Sequence, residues 1–539
     1  MIEKIKLKNF KNFKEMELIF NIKKNILIGE NGVGKSSLLQ AISLVLSGSY
    51  SRIESVGLES LFNAQAVLDF LNDSRKIDDL PNLIIELYFS NNYTAANMFD
   101  VDGKYNSERK ECKGLQLKIS PNREDYFDEI LEALSHENPS FPFDYYKVEF
   151  TTFANKGYNN YNKRHKIKHS VIDTTSMNQT IATKNYVSQL FTNQSGKQRQ
   201  KISHKFRELS KNFSQEMYEE YIESSDDEYK LKIKNTTGKN FSDMLVAHKN
   251  EIDIENLGLG ERVLLGVKSS LDSTDEADQV VLIEEPENHL SYLNMHKLIE
   301  IIQDGDDSKQ MFIATHSNMI ASRLELKNII LVGSDGKKAD LKELSSETSR
   351  FFAKAPNSNV LNFILAKKVI LVEGDAEFIL LEKFYEIIHG NKTFDDNVAI
   401  ISCGGKSFKR YLEIAKNLNK KVAVITDNDG DFAQNITDNY KDFRDKNIEI
   451  FSDKNDENWT FEICLYNANK NFYDNTFKTG HMINGALEYM IGKANSKSSK
   501  GNKAEAAFRL LGLLEQGLEN FVIPEYVKGA IEWISPRND

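Results

Sequence analysis

The chain of 539 residues carries a formal net charge of −11, so any contact with nucleic acid has to come from local basic patches rather than from the overall field. Hydrophobic residues at 40% and charged ones at 28% are ordinary globular usage, and no stretch approaches the ~18 apolar residues of a membrane helix. Cys112, Cys403 and Cys464 are too scattered for a disulfide framework or a zinc signature, and the start, MIEKIKLKNF, lacks the apolar centre of a secretory signal, so the expectation is a cytoplasmic protein with no membrane partner.

In chain order, the first informative element is the strand-like NILI, followed by GENGVGKSS and the apolar helix LLQAISLVL. This is a phosphate-binding loop between strand and helix. The backbone of Gly29, Asn31, Gly32 and Gly34 and the helix N-terminus with Ser37 surround the phosphates of ATP, Lys35 reaches the outer ones, and Ser36 ligates one magnesium ion. Further on, NKGYNNYNKRHKIKH from Asn155 to His169 interleaves tyrosines with Lys163, Arg164, Lys166 and Lys168, and is either a solvated loop or a nucleic-acid contact. From Ile202, the residues Phe206, Leu209, Phe213, Met217 and Tyr221 recur at helical spacing. That face either packs on its own domain or belongs to an inserted helical dimerisation element over residues 165–240.

The stretch QVVLIEEPENHL places Glu284 and Glu285 at the end of a second buried strand, where Glu284 would hold magnesium and Glu285 would orient the attacking water. A third strand, QMFIATHS, ends in His316, placed to reach the γ-phosphate. With these motifs the first half resembles the ABC-type ATPases of the RecF, Rad50 and SMC group. Their signature loop corresponds to ENLGLGERVLLGVKSSL, with Gly258 and Gly260 followed by Glu261, although it departs from the usual LSGGQ form. The resemblance implies that this loop caps ATP bound by a second subunit, hence a homodimer or higher homo-oligomer, and Gln65 is taken for the glutamine of the Q-loop.

The ATPase domain is expected to span residues 1–345, followed by a polar linker at 346–366 and a second α/β domain at 367–539. The strand in KKVILVEGDAEFILLEKFY ends at Glu373 and Gly374 and leads into a helix carrying Glu377. A second buried strand, in VAVITDNDGD, ends at Asp427 and Asp429; an EF-hand is excluded because Phe432 stands where that loop needs glycine. Strand ends of an open α/β sheet line its ligand crevice, the alternative being a surface turn. The pattern strand–Glu–Gly followed by strand–Asp–x–Asp resembles the Toprim domain of topoisomerases, primases and certain nucleases. Glu373, Glu377, Asp427 and Asp429 would then bind two Mg²⁺ or Mn²⁺ ions, with Glu373 and Asp427 also catalytic; Glu462 in WTFEICL is either a further ligand or a surface glutamate.

An ABC-type ATPase followed by a Toprim domain resembles the OLD (overcoming lysogenization defect) family of nucleases, which includes the nuclease subunit of the Gabija antiphage system. The last segment, NKAEAAFRLLGLL and IPEYVKGAIEWI, is similar to that family's C-terminal pattern, whose catalytic lysine falls on Lys503, with Lys500 as substitute. The resemblance implies an ATP-regulated, metal-dependent DNA endonuclease of antiphage defence, with DNA as partner and a helicase-type protein encoded nearby. The alternatives are an ATP-switched DNA-repair clamp without cleavage and an RNA-cleaving toxin. A topoisomerase would need a tyrosine nucleophile and a gate, for which the second half leaves little room.

Overall fold

The computed structural model describes residues 1–536 except 74, 91–99, 137–138, 166, 174–186, 188–189, 192–193, 221–244, 250, 273–278, 306–308, 334–337, 356–358, 406, 476–484 and 492–501. The chain divides into two compact units: Met1–His316 with Ile330–Lys338, and Ser317–Ile329 with Ala339–Asp539.

In the first unit the strands Ile329–Val332, Lys24–Ile28, Gln310–Ala314, Gln279–Glu284 and Lys168–Asp173 lie side by side in that order within a six-stranded sheet. The last four pair in parallel, and their near-continuous apolar runs are what a strand covered on both faces requires. Val281, Leu282, Ile283, Phe312 and Ile313 are wholly buried. A second, antiparallel sheet is built on Ile2–Phe10, Phe13–Ile19, Leu83–Phe89, Cys112–Pro121 and Tyr146–Thr152. Its apolar face joins the helix Lys35–Ser47 in one core with Leu38, Leu39, Ile42 and Val45.

The second unit is a four-stranded parallel sheet, ordered Val398–Ser402, Lys368–Val372, Lys421–Ile425 and Ile448–Phe451. One face is covered by the helices Asp375–His389, Lys503–Glu515 and Glu525–Ile534, whose Leu380, Phe384, Leu510, Val527 and Ile531 share a core with Ile370 and Val372 of the sheet. Val372 stands opposite Ile425, so these two neighbouring strands end level and deliver whatever follows them to the same edge.

The stretch expected as a linker, 346–366, is instead two helices, Ser346–Lys354 and Val360–Leu365, packed into the second unit. Phe352 and Phe363 are wholly buried, and both rings meet Tyr411 edge-on at 4.9 and 5.1 Å. Ser345 Oγ donates to Glu413 at 2.9 Å and Arg410 donates to Thr348 Oγ1 at 3.1 Å. Residues 317–329, expected in the first domain, also fall in this unit, where Asn318 Oδ1 accepts from Leu361 N–H at 3.0 Å. Ser345 and Ser346, which read as part of a linker, are here a helix cap and a hydrogen-bonding partner, a use of that residue type that composition alone does not distinguish.

Residues Gly196–Glu220 form one long helix. Of its predicted apolar face, Phe206 is half-buried while Leu209 and Phe213 are more than half exposed at 57% and 55%; the Met217 side chain and Tyr221 lie outside the described residues.

Candidate active sites at two strand-end edges

The phosphate loop is built around a conformation that only glycine tolerates well. Gly34 has φ 105° and a Cβ there would stand 2.5 Å from the ring of Phe13, so the loop turns tightly into the helix Lys35–Ser47. The Lys35 ammonium is buried and donates to the carbonyls of Gly29 at 3.2 Å and Glu30 at 3.3 Å. It also lies 2.7 Å from Nε2 of His316, which requires that nitrogen to be the unprotonated acceptor. Burial, and then Lys35, lower the histidine's proton affinity, in keeping with a neutral ring; burial likewise lowers that of Lys35.

Glu284 and Glu285 follow the strand Gln279–Glu284. Burial and the nearby Asp173 raise the Glu284 carboxyl, opposed by a hydrogen bond from Ser36, which sets the helix hydroxyl and the strand-end carboxylate side by side. Burial and Glu287 push Glu285 up to about 8, and its backbone has a positive φ of 42°. His316 Nε2 lies 3.5 Å from Glu285. Asn31, Gly32 and Ser36 are exposed, while Ser37 is half-buried.

Sequence reading missed Glu287, whose Oε1 accepts from Thr315 Oγ1 at 2.7 Å and from the backbone N–H of His316 at 2.6 Å, tying the two strand ends together. The alternation of acids in EEPE was its only signal. Gln65 is on the helix Ala64–Asn72, bonded to Asp69 at 2.7 Å, whereas the strand end beside Glu284 is Asp173. Gly258 directly precedes the helix Leu259–Asp272 and Gly260 lies in its first turn, where a Cβ would be 2.8 Å from the carbonyl of His289; this glycine is required by packing whatever else it does.

At the second edge, Glu373 follows Lys368–Val372 and Asp427 follows the neighbouring Lys421–Ile425. Glu377 and Glu462 occupy the first turns of the helices Asp375–His389 and Phe461–Ala468, where the N-terminal dipole favours carboxylates. Asp427 Oδ1 accepts from Phe461 N–H at 2.8 Å, locking the strand end to the second helix. Lys503 opens the helix Lys503–Glu515, the wrong sign for that position, and is held 2.8 Å from Glu462 Oε2.

The electrostatics join these groups into one cluster. Burial, then Glu377, Glu373 and Glu462, push Asp427 up to about 8 against the pull of Lys503. Burial, then Glu462 and Glu373, raise Glu377 to about 7. Burial disfavours the Lys503 ammonium, but Glu462, Asp427 and Glu377 outweigh it and raise its proton affinity. Asp429 is exposed and itself left-handed at φ 51°, its N–H donating to the Trp459 carbonyl at 3.2 Å, and it acts on Tyr440 together with Glu373. Lys500 lies outside the described residues.

Four oxygen-donor carboxylates gathered against their own repulsion fit hard divalent cations. Among the described residues, no three acidic, imidazole or thiol groups form a ready cage. The two observations agree for an ion such as Mg²⁺, which keeps several waters and takes only one or two carboxylates.

Two family models match. The AAA domain described as putative AbiEii toxin, Type IV TA system, covers residues 24–322, more than half of the chain, and the Toprim domain of overcoming lysogenization defect protein-like sequences covers residues 364–429. The chain belongs to this AAA family and carries an OLD-like Toprim domain. Septu protein PtuA of Bacillus mycoides (strain KBAB4) is 49% identical over 57 residues, 10% of this chain and 8% of that protein. The DNA replication and repair protein RecF of Bacillus thuringiensis (strain Al Hakam) is 49% identical over 41 residues, 8% of this chain and 11% of that one. The chain therefore spans about a tenth of the length of these curated relatives, at 8% and 11%. Among solved structures, the SMC head domain from Thermotoga maritima is 13% identical, covering 63% of this chain and 98% of that one with a TM-score of 0.27. The C-terminal region of the Xanthomonas campestris pv. campestris OLD protein is 18% identical, covering 31% and 94%, with a TM-score of 0.22. No helix among the described residues is long and apolar enough to cross a membrane.

Proposed function

We propose that this chain is a divalent-metal-dependent DNA endonuclease whose cutting is regulated by ATP bound to its first unit. The observation that carries the proposal is the convergence of Glu373 and Asp427, from level ends of neighbouring strands, with Glu377, Glu462 and Lys503. Bound cations would supply Lewis-acid stabilisation of charge on a phosphodiester and an activated water. Glu373, Asp427, Glu377 and Glu462 would hold them, with Asp429. Lys503, half exposed at 48%, can donate to a phosphate oxygen as well as to Glu462.

ATP would supply the energy and timing of the regulatory step. Lys35 and Ser36 would hold its phosphates and magnesium, with Glu284; Glu285 would orient water, and His316 would hold a hydrogen bond at the outer phosphate. Pairing of two copies is supported by the exposed Leu209 and Phe213 on the helix Gly196–Glu220, an apolar face that a dimerisation insertion would cover. Antiphage defence is supported by the stretch shared with Septu protein PtuA, and a helicase-type partner rests on the OLD resemblance.

Supercoiled plasmid incubated with the protein and Mg²⁺ or Mn²⁺, with and without ATP, tests the reading. Nicking or linearisation that Asp427→Ala abolishes is the expected result, and intact plasmid in every nucleotide state would overturn it. A second reading, an ATP-switched DNA clamp without cleavage, draws support from the lack of a ready metal cage among the described residues. It predicts DNA retention with no strand breakage.

A further inference from the structure

The first unit gathers a second set of charged groups away from the phosphate loop. Ser43, buried in the helix Lys35–Ser47, has an Oγ that accepts from Arg52 at 2.9 Å and meets His169 Nε2 at 3.1 Å. His169 feels Lys163, Arg52 and His165, and His165 in turn feels Lys163, so the four groups share one neighbourhood. His165 is only 3% exposed and its ring sits edge-on to Tyr158 at 5.8 Å. Neither of its ring nitrogens closes a well-formed hydrogen bond among the described residues, although the Ile167 backbone is near enough to favour the protonated ring.

Among the described residues no carboxylate acts on this cluster. No ion pair joins Arg52 or Lys163 to an acid among the described residues, and burial alone perturbs both. Two cations beside two imidazoles, one of them buried without a firm partner among the described residues, is an arrangement that an entering anion would stabilise. Arg52 is exposed and Lys163 partly so, which leaves an approach from solvent with the imidazoles behind. The cluster is also distinct from the nucleotide site. His169 is the second residue of the strand Lys168–Asp173, whose last residue, Asp173, pairs with Glu284, a separation of about 13 Å along an extended backbone.

We propose that Arg52, Lys163, His165 and His169 bind a phosphate group, carried either by a nucleic-acid backbone or by a free phosphate-bearing ion. Guanidinium and ammonium groups supply charge-assisted hydrogen bonds to its oxygens, and an imidazole becomes a second donor once an anion offsets its neighbours. The segment from Asn155 to His169, left undecided between solvated loop and nucleic-acid contact, thereby gains a ligand chemistry. The proposal goes beyond the nuclease reading and does not depend on it.

Histidine-selective ¹³C labelling of the full chain provides the test, with the signals of two of its ten histidines assigned through His165→Gln and His169→Gln. Inorganic phosphate and a 20-base-pair duplex are the two probes, and His316 reports separately on phosphate at the phosphate loop. The His165 and His169 signals should move with at least one probe. Movement with phosphate alone assigns a free ion, movement with the duplex alone assigns the nucleic-acid backbone, and movement with both assigns a site that takes either. Arg52→Gln combined with Lys163→Gln should weaken the response about tenfold or more, the loss of at least one charge-assisted hydrogen bond. Static signals with both probes, or an unchanged response in the double variant, would overturn the proposal, and neither result bears on plasmid cleavage.

Discussion

Replacing Lys503 by methionine separates two roles that one side chain combines. At 2.8 Å from Glu462, a unit charge pair is worth about 6 kcal/mol at an effective dielectric of 20 before desolvation is counted. Lys503 is half exposed while the Glu462 side chain is 4% exposed, so solvent screening of the lysine and the cost of burying the glutamate reduce the net loss to about 1–3 kcal/mol. Cleavage should fall by more than this implies, about 10²–10³-fold, because a donor aimed at developing phosphate charge is lost as well. The assay is paired: urea denaturation for stability, and plasmid nicking at saturating Mg²⁺ for rate. Adding Glu462→Gln to Lys503→Met removes the stranded carboxylate, and should restore most of the stability while leaving cleavage low. Recovery of cleavage in the double variant would refute the reasoning, since Lys503 would then act only by neutralising Glu462.

Lys35→Ala should abolish ATP binding, read by nucleotide fluorescence, while leaving any nucleotide-independent plasmid nicking intact. Phe363→Ala should cost about 3–5 kcal/mol in the unfolding of the second unit, measured by calorimetry of the full chain; a loss below about 1 kcal/mol would mean the 346–366 stretch is a tether after all. His165 gives a pH signature. Burial, with Lys163 beside it, depresses its pKa to about 4 from 6.5, so the unfolded chain takes up a proton that the folded chain refuses. The stability it contributes is complete above pH 6.5 and lost as pH falls toward 4, about 3 kcal/mol in all, and His165→Gln should flatten that slope in acid denaturation curves.

How much of this was legible depended on whether a residue's role is written locally. The phosphate loop, the acid pair and the strand–Glu–Gly and strand–Asp turns each combine a buried β-branched run with its polar terminus, so element and chemistry are read from one short window. Glu462 and Lys503 were readable only through resemblance, because their meeting depends on helices distant in the chain closing over one sheet edge. Sheet order is hidden for the same reason: no local pattern reveals that Lys168–Asp173 takes the place beside the strand of Glu284. The linker failed differently. Its apolar residues come in short clusters, Phe351–Phe352 and Val360–Ile364, separated by polar residues and Pro356, too brief for a periodic signal yet enough to bury two rings against Tyr411.

Both candidate active sites place carboxylates at the ends of parallel strands, but they differ in what offsets the repulsion. At the phosphate loop, Lys35, Lys11 and Ser36 all act to lower the Glu284 proton affinity. At the second edge Lys503 is the one cation facing four acids among the described residues, and Asp427 remains raised to about 8. The second site should therefore be stabilised by an added cation. A ligand present at a hundred times its Kd stabilises a fold by about 2.7 kcal/mol, which for a unit of this size is about 5–10 °C in Tm. Mg²⁺ or Mn²⁺ should shift the second unit's calorimetric transition by that order. Asp427→Asn keeps the acceptor for Phe461 N–H while deleting the charge, so it should hold or raise the metal-free Tm and lose most of the shift. A lower metal-free Tm in that variant would mean the carboxylate is a structural asset, and an undiminished shift would mean the cation binds elsewhere; either outcome would separate this cluster from metal chemistry.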